Sequence, residues 1–175
     1  PIKAFREPYH PQRVVIEECP EGSVLVMDCR GDASAASAGS ILLTRLQIRG
    51  GAGVVSDGGI RDATGAAALD MPVFAAKPSA PTNLTKHHAV DIGLPIACGG
   101  VAVYPGDIVL GDNDGVMIIP RHLADEIAQD SVEMELFEKF VLGEVLRGVS
   151  IRGLYPPSDP ETSKRYAEWR ESNRD

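Results

Sequence analysis

The chain has 175 residues, 43% of them hydrophobic and 24% charged. That is enough for one domain with a real apolar core. Its formal charge of −8 and pI near 5.0 argue against a nucleic-acid backbone as direct partner, since binding by counterion release needs a basic stripe and none is present. A small anion stays within reach, because a local arginine or a metal ion outweighs the global charge. The three cysteines, Cys19, Cys29 and Cys98, are widely spaced and form no CxxC pair. Together with the lack of a secretory leader, this leads us to expect a reducing, cytoplasmic setting. No apolar run reaches the roughly 20 residues that span a bilayer.

In chain order, the opening PIKAFREPYHPQR lacks an initiator Met and offers nothing that nucleates an element. SVLVMD (residues 23–28) follows a Pro-Glu-Gly turn and reads as a buried strand. CRGDASAASAG reads as a small-residue loop. SILLTRLQIRG places Ile41, Leu42, Leu46 and Ile48 near helical spacing, with Gly50 and Gly51 as stops. GVVSD is a second strand, and Asp57 is expected to order an Asp-Gly-Gly turn after it. RDATGAAALD is a short helix closed before Pro72, and MPVFAAK a third strand. Residues 89–120 alternate apolar runs with Gly and Pro turns, which predicts compact β structure. A long helix is expected from about 122 to 147, with Leu123, Ile127, Val132, Leu136, Phe140, Val141 and Val145 on one face. We expect one α/β domain over residues 1–150, sheet in the middle and helices outside. A Pro-rich, charged tail over 151–175 is expected to pack on a neighbour or fray.

In open α/β sheets ligands bind at the carboxyl ends of strands. Two loops there carry the candidate chemistry. In AGSIL (residues 38–42) small residues lead into a helix N-terminus, whose free N–H groups favour a carboxylate or phosphate. In DGGIRD, Arg61 supplies a planar cationic fork and Asp62 a hard oxygen suited to Mg²⁺ or Mn²⁺. A carboxylate clamp beside a divalent cation is what a 2-oxo acid needs, because the metal polarises the keto oxygen. The plainer alternative is that Arg61 and Asp62 only cap the following helix.

The run AGSILLTRLQIRGGAGVVSDGGIRD resembles the signature of the RraA-like family: a Gly-containing loop, a helix, a strand, then Gly-x-x-Arg-Asp. PGDIVLGDNDGVMIIP (residues 105–120) resembles the family's second block, and the likeness runs from about residue 22 to 147. The family includes class II pyruvate aldolases acting on 4-hydroxy-4-methyl-2-oxoglutarate and 4-carboxy-4-hydroxy-2-oxoadipate. It also includes non-catalytic proteins that inhibit a ribonuclease by contact. The resemblance implies an αββα sandwich like a phosphohistidine swivelling domain, assembled as a homotrimer or a dimer of trimers with sites between subunits. It implies that amides of Gly39, Ser40, Ile41 and Leu42 hold the carboxylate of a small 2-oxo acid, that Arg61 contacts substrate, and that Asp62 is the one side chain on the metal. Two departures stand out. The aldolase pattern often has an acid where this chain has Ser40, and another three residues after the metal-binding Asp, where this chain has Gly65. Those carboxylates anchor metal-bound waters. A further acid comes from the N-terminal region of a neighbouring subunit, and that part of the domain is expected to be missing here.

Other patterns carry less. Lys86-His87-His88 invites a metal reading, but neighbours in a strand face opposite ways. Asp112 and Asp114 in GDNDG fit a β-turn better than a calcium loop. Arg30-Gly31-Asp32 is taken as chance, and Cys98 has no nearby His to activate it. Glu133 and Glu135 fit a solvated helix face that could reach a neighbour's site.

Overall fold

The structure, a computed structural model, describes residues 7–83 and 86–173. Two compact units make up the chain, residues 1–121 and 122–175.

The first unit is built on β3 (Gly53–Ile60). β1 (Val24–Met27) pairs with its first half, from Val24↔Gly53 to Met27↔Ser56, and β2 (Ala36–Ala38) with its end at Gly59 and Ile60. β4 (Val73–Pro78) runs along the opposite edge. All three pairings are parallel. Helices α1 (Pro11–Glu18), α2 (Ser40–Ile48) and α3 (Ala63–Ala67) contribute Ile16, Leu43, Leu46 and Ala66 to a core shared with Val54, Ile60 and Met71. Two antiparallel hairpins follow, β5 (Ile96–Cys98) with β6 (Val101–Val103), and β7 (Ile108–Gly111) with β8 (Val116–Ile119). In the second hairpin Asp112 Oδ1 accepts the amides of Asp114 at 2.8 Å and Gly115 at 3.2 Å, the expected turn.

Several elements differ from the sequence expectation. The opening segment does nucleate a helix: the His10 ring accepts the Gln12 amide at 3.2 Å and Pro11 takes the first helical position, where its missing N–H matters least. The small-residue loop contains β2. The Asp-Gly-Gly stretch is no turn but part of β3, with a register shift between Ser56 and Gly59. Glycine is needed there because a Cβ on Gly58 would lie 2.6 Å from Cys29 Sγ, and one on Gly59 2.8 Å from Ala35 O.

The second unit pairs α4 (Ala124–Leu146), entered through a 3₁₀ turn at Arg121–Leu123, with α5 (Pro160–Ser172). The tail, expected to pack on a neighbour or fray, is helical over Pro160–Ser172: Asp159 Oδ1 accepts the Glu161 amide at 3.0 Å, and Pro160 opens the helix. Phe140, Val141 and Leu154 form its core, with Phe137, Tyr166 and Trp169 against them. The anticipated long apolar stripe is only partly used, since Val132 is 57% and Val145 42% exposed. Glu144 is buried instead, paired with Arg147 and Arg165.

If the shifted register of β3 depends on its glycines, Gly59→Ala should destabilise the protein by roughly 1–3 kcal/mol through overpacking. Gly53→Ala is the control, because its Cβ would meet nothing nearer than 3.5 Å. Thermal melts of the two variants decide the matter; equal melting temperatures would contradict it.

Candidate active site

Strand β3 ends at Ile60 and hands directly to Arg61 and Asp62. The Arg61 amide donates to Ala38 O at 3.1 Å, which holds this strand end against the loop leading into α2. Asp62 has φ 58° and ψ 43°, the left-handed region that costs a side-chain-bearing residue about 1–2 kcal/mol. That backbone turns its carboxylate away from its own helix. Although Asp62 stands at the N-cap of α3, its side chain makes no capping bond there. Its Oδ2 instead accepts from the Ser40 amide at 3.1 Å and the Ser40 hydroxyl at 3.2 Å, at the N-terminus of α2. The local-cap alternative therefore fails in its simple form; the carboxylate caps a different helix.

Arg61 Nε lies 3.6 Å from the same Oδ2, with the two side chains 42% and 45% exposed. Among the described residues, no acceptor meets the terminal nitrogens of Arg61, and no donor meets Asp62 Oδ1. Gly39 permits this convergence: a Cβ there would sit 2.6 Å from Arg61 Nε and 2.8 Å from Asp62 Oδ2. Within the first turn of α2 the Ser40 amide serves Asp62, and the Leu42 amide points at Gly39 O at 3.1 Å. Among the described residues no acceptor meets the Ile41 amide of that turn, and the Ile41 side chain beside it is 77% exposed. The two positions without the family's acids meet in space, since a Cβ on Gly65 would lie 3.2 Å from Ser40 Cβ.

Asp57 does not order a local turn. Its Oδ1 accepts the Cys29 amide at 2.6 Å, and its Oδ2 the amides of Gly31 at 3.0 Å and Gly99 at 3.2 Å. This carboxylate ties the loop after β1 and the β5–β6 turn to the shifted part of β3. His87 and His88 lie outside any strand and part company. His87 reaches Ser37 and Asp32, while His88 meets the His10 ring edge-on at 5.1 Å. Glu133 pairs with Arg170 at 2.6 Å and Glu135 with Lys139 at 2.9 Å. Among the described residues no group of three or more His, Cys, Asp or Glu could hold a metal ion. A depression of about 240 Å³ between α3 and β4, lined by Ala63, Ala67, Met71, Val73 and Lys77, does not include Arg61 or Asp62.

Fold and edge geometry define the class: a parallel α/β protein with an ionic cluster at the carboxyl edge of its sheet. The RraA-like family, described as Aldolase/RraA, matches residues 1–118, and the chain belongs to that family. A protein of Halalkalibacterium halodurans provisionally named 4-hydroxy-4-methyl-2-oxoglutarate aldolase is 38% identical over 112 residues, covering 64% of this chain and 53% of that protein. One of Ectopseudomonas mendocina with the same provisional name is 36% identical over 104 residues, covering 59% and 64%. The chain thus spans about half the length of some curated relatives it matches. Among solved structures, Streptomyces coelicolor RraAS2, described as an unusual member of the RNase ES inhibitor RraA protein family, aligns with a TM-score of 0.70 at 33% identity, covering 77% of this chain and 69% of its own. An uncharacterized Pseudomonas syringae protein aligns at 0.74 with 23% identity, covering 80% and 70%, a likeness of fold alone. The fold is accordingly an α/β sandwich of the RraA type. No helix among the described residues is long and apolar enough to cross a membrane.

The left-handed backbone at Asp62 gives a stability test. Asp62→Gly and Asp62→Ala both lose the bonds to Ser40, but only alanine keeps the strain. We expect the glycine variant to be more stable than the alanine variant by about 1 kcal/mol in denaturant unfolding. The opposite order would mean that the conformation is not strained.

Proposed function

We propose that the chain is a divalent-metal-dependent lyase of the pyruvate-aldolase type. It would cleave a 4-hydroxy-2-oxo acid to pyruvate and a second carbonyl compound, with oxaloacetate decarboxylation as a related outcome of the same enolate chemistry. The observation that carries this reading is the convergence of Arg61, Asp62 and the α2 N-terminus on one strand end. The provisional aldolase names of relatives at 36–38% identity support it.

In this reading the open side of the Arg61 guanidinium and the Ile41 amide bind the substrate carboxylate, a charge-assisted arrangement suited to a planar anion. The Ser40 and Leu42 amides and the Gly39 backbone shape the same corner, and Gly39 keeps it clear of a Cβ. Asp62 fits a cation through Oδ1 alone, since Oδ2 already takes two bonds from Ser40. That suits Mg²⁺ or Mn²⁺, which keep most of their waters. A cation held there would polarise the 2-oxo group and offset enolate charge. The sites would lie between subunits of a homotrimer or a dimer of trimers.

A second reading, a non-catalytic protein-binding regulator of a ribonuclease, is favoured by one observation. Ser40 and Gly65 face each other where the aldolase pattern has acids, so Asp62 has no carboxylate beside it from either position. The name of Streptomyces coelicolor RraAS2 points the same way. Pyruvate release measured with and without Mg²⁺ separates the two readings.

Under the lyase reading, Arg61→Lys keeps the charge but loses the fork. The expected loss is about 1.5–3 kcal/mol, or roughly a tenfold to hundredfold fall in kcat/KM, with the melting temperature nearly unchanged. Chelation should abolish turnover, and added Mg²⁺ or Mn²⁺ should restore it. A variant that melts early yet turns over normally would reduce Arg61 to a structural role.

Assembly is the second expectation. Light scattering should report a trimer or a hexamer at assay concentration, and a monomer that still releases pyruvate would refute a site shared between subunits.

A further inference from the structure

A chain of polar side chains lies apart from the Arg61–Asp62 cluster. Cys29 Sγ is 2.8 Å from Ser37 Oγ, Ser37 Oγ is 3.2 Å from His87 Nδ1, and His87 Nε2 is 3.4 Å from Asp32 Oδ2. The last is an ion-pair separation rather than a well-aligned hydrogen bond. Ser37 is buried and the His87 side chain is 14% exposed, while Asp32 is half exposed and Cys29 partly exposed, so the middle of the chain is shielded and its two ends are not.

Donor and acceptor inventories allow the chain one consistent direction outward from the sulfur. Asp32 Oδ1 accepts the Ser34 amide at 2.8 Å, and its hydrogen bonds from the Ser34 hydroxyl and amide lower its pKa to about 2, so it is ionised and only accepts. The tautomer with the His87 hydrogen on Nε2 turns that hydrogen toward the Asp32 charge and leaves Nδ1 as an acceptor. Ser37 must then donate its hydroxyl hydrogen to Nδ1, which leaves its oxygen to accept from the Cys29 thiol. On the other side of the sulfur, Ser56 Oγ accepts the Gly58 amide at 3.1 Å and lies 3.5 Å from Sγ, placed to donate its own hydrogen to the sulfur. A proton can leave Cys29 through Ser37 to His87, while Ser56 steadies the thiolate.

We propose that Cys29 is a reactive thiol, activated through Ser37 by the His87–Asp32 pair, and that it takes small-molecule disulfides. The Cys29 hydrogen passes to Ser37 Oγ as the Ser37 hydrogen passes to His87 Nδ1. The thiolate attacks one sulfur of the disulfide, a new S–S bond forms, the old one breaks, and the departing thiolate takes up a proton from solvent or from His87. No further oxidant is required, because the incoming disulfide is the species reduced.

The other thiols lack such a path. Cys19 is buried, which pushes its pKa up. Cys98 is pushed up by burial first and then by the Asp57 charge, and its thiol donates to the Met27 carbonyl at 3.6 Å. Among the described residues, the charged and titratable groups around the relay are Asp57, Asp28 with its partner Arg30, and Cys98 near the sulfur, and Asp32 and Lys86 at the histidine end; His88 turns to His10. Asp57 and Asp28 oppose a thiolate, but the Asp57 carboxylate is engaged by three backbone amides. The positive charge that forms on His87 gains Asp32 in return.

The test is the rate at which the folded protein releases nitrothiobenzoate from the aromatic disulfide dithiobis-nitrobenzoate, with peptide mapping of the labelled cysteine. We expect one fast thiol, mapped to Cys29, and loss of the fast phase in Cys29→Ser. Asp32→Asn, at a half-exposed carboxylate, should slow it by roughly tenfold and move the wild-type pH–rate midpoint upward. Ser37→Ala should do the same by breaking the relay. Should Ser37→Ala fold poorly, the Asp32→Asn profile still decides. Labelling of Cys98 as fast as Cys29, or an Asp32→Asn rate equal to wild type, would overturn the proposal. Neither result bears on pyruvate release.

Discussion

The arrangement turns on the register shift of β3 between Ser56 and Gly59. Along one edge β4 follows the strand, but along the other β1 ends at Ser56 and β2 begins at Gly59. A continuous ladder would carry one partner past the other. The shift lets two short strands share one edge and places their loops side by side. Two glycines make room for it, and Asp57, the residue between the two ladders, clamps three amides from segments far apart in sequence. Both polar clusters hang from this point. One side of the seam sends Arg61 and Asp62 to Gly39; the other faces Cys29 and Ser37.

Much of the first unit was legible because its strands and helices have the simplest patterns. Apolar runs bounded by Gly or Pro located β1, β4 and both hairpins, and helical spacing located α2. What escaped had no local signature. Ala36–Ala38 is strand because β3 on one side and the Pro81–Thr82 segment on the other offer partners; alanine and serine have little preference for extended structure. Asp-Gly-Gly ordinarily marks a turn, and only the tertiary neighbours of Gly58 and Gly59 turn it into a shifted strand. His10 is outside the common set of helix caps, so α1 went unread. For α4, periodicity named a stripe but could not know that α5 would cover chiefly the end around Phe140 and Val141, or that Glu144 would be buried against two arginines.

The candidate site was legible at the level of residue identity, through the Gly-x-x-Arg-Asp spacing. Its geometry was not. No sequence rule says that Asp62 adopts a left-handed backbone and caps α2 across 22 residues. Nor could spacing reveal that the two missing acids would have been neighbours. The Cys29 relay was less legible still, since Ser37 and His87 are 50 positions apart and His87 was weighed only as a metal ligand. Its signal is a run of polar contacts between residues far apart in sequence, which exists only once the chain is folded.

Within the proposed lyase reading, the geometry also bears on how cation and substrate would meet. Asp62 Oδ2 is engaged by Ser40 and lies 3.6 Å from Arg61, so the guanidinium and an incoming cation compete for the same negative charge. Carboxylates at positions 40 and 65 would have relieved that competition; Ser40 and Gly65 cannot. A substrate carboxylate on the open side of Arg61 would do so in their place, by neutralising the guanidinium and leaving Asp62 to the metal. Linkage requires the effect to run both ways, so a cation that binds better with the 2-oxo acid present also tightens the 2-oxo acid. A site depleted of acids can in this way remain a metal site, provided that the substrate supplies part of its charge balance.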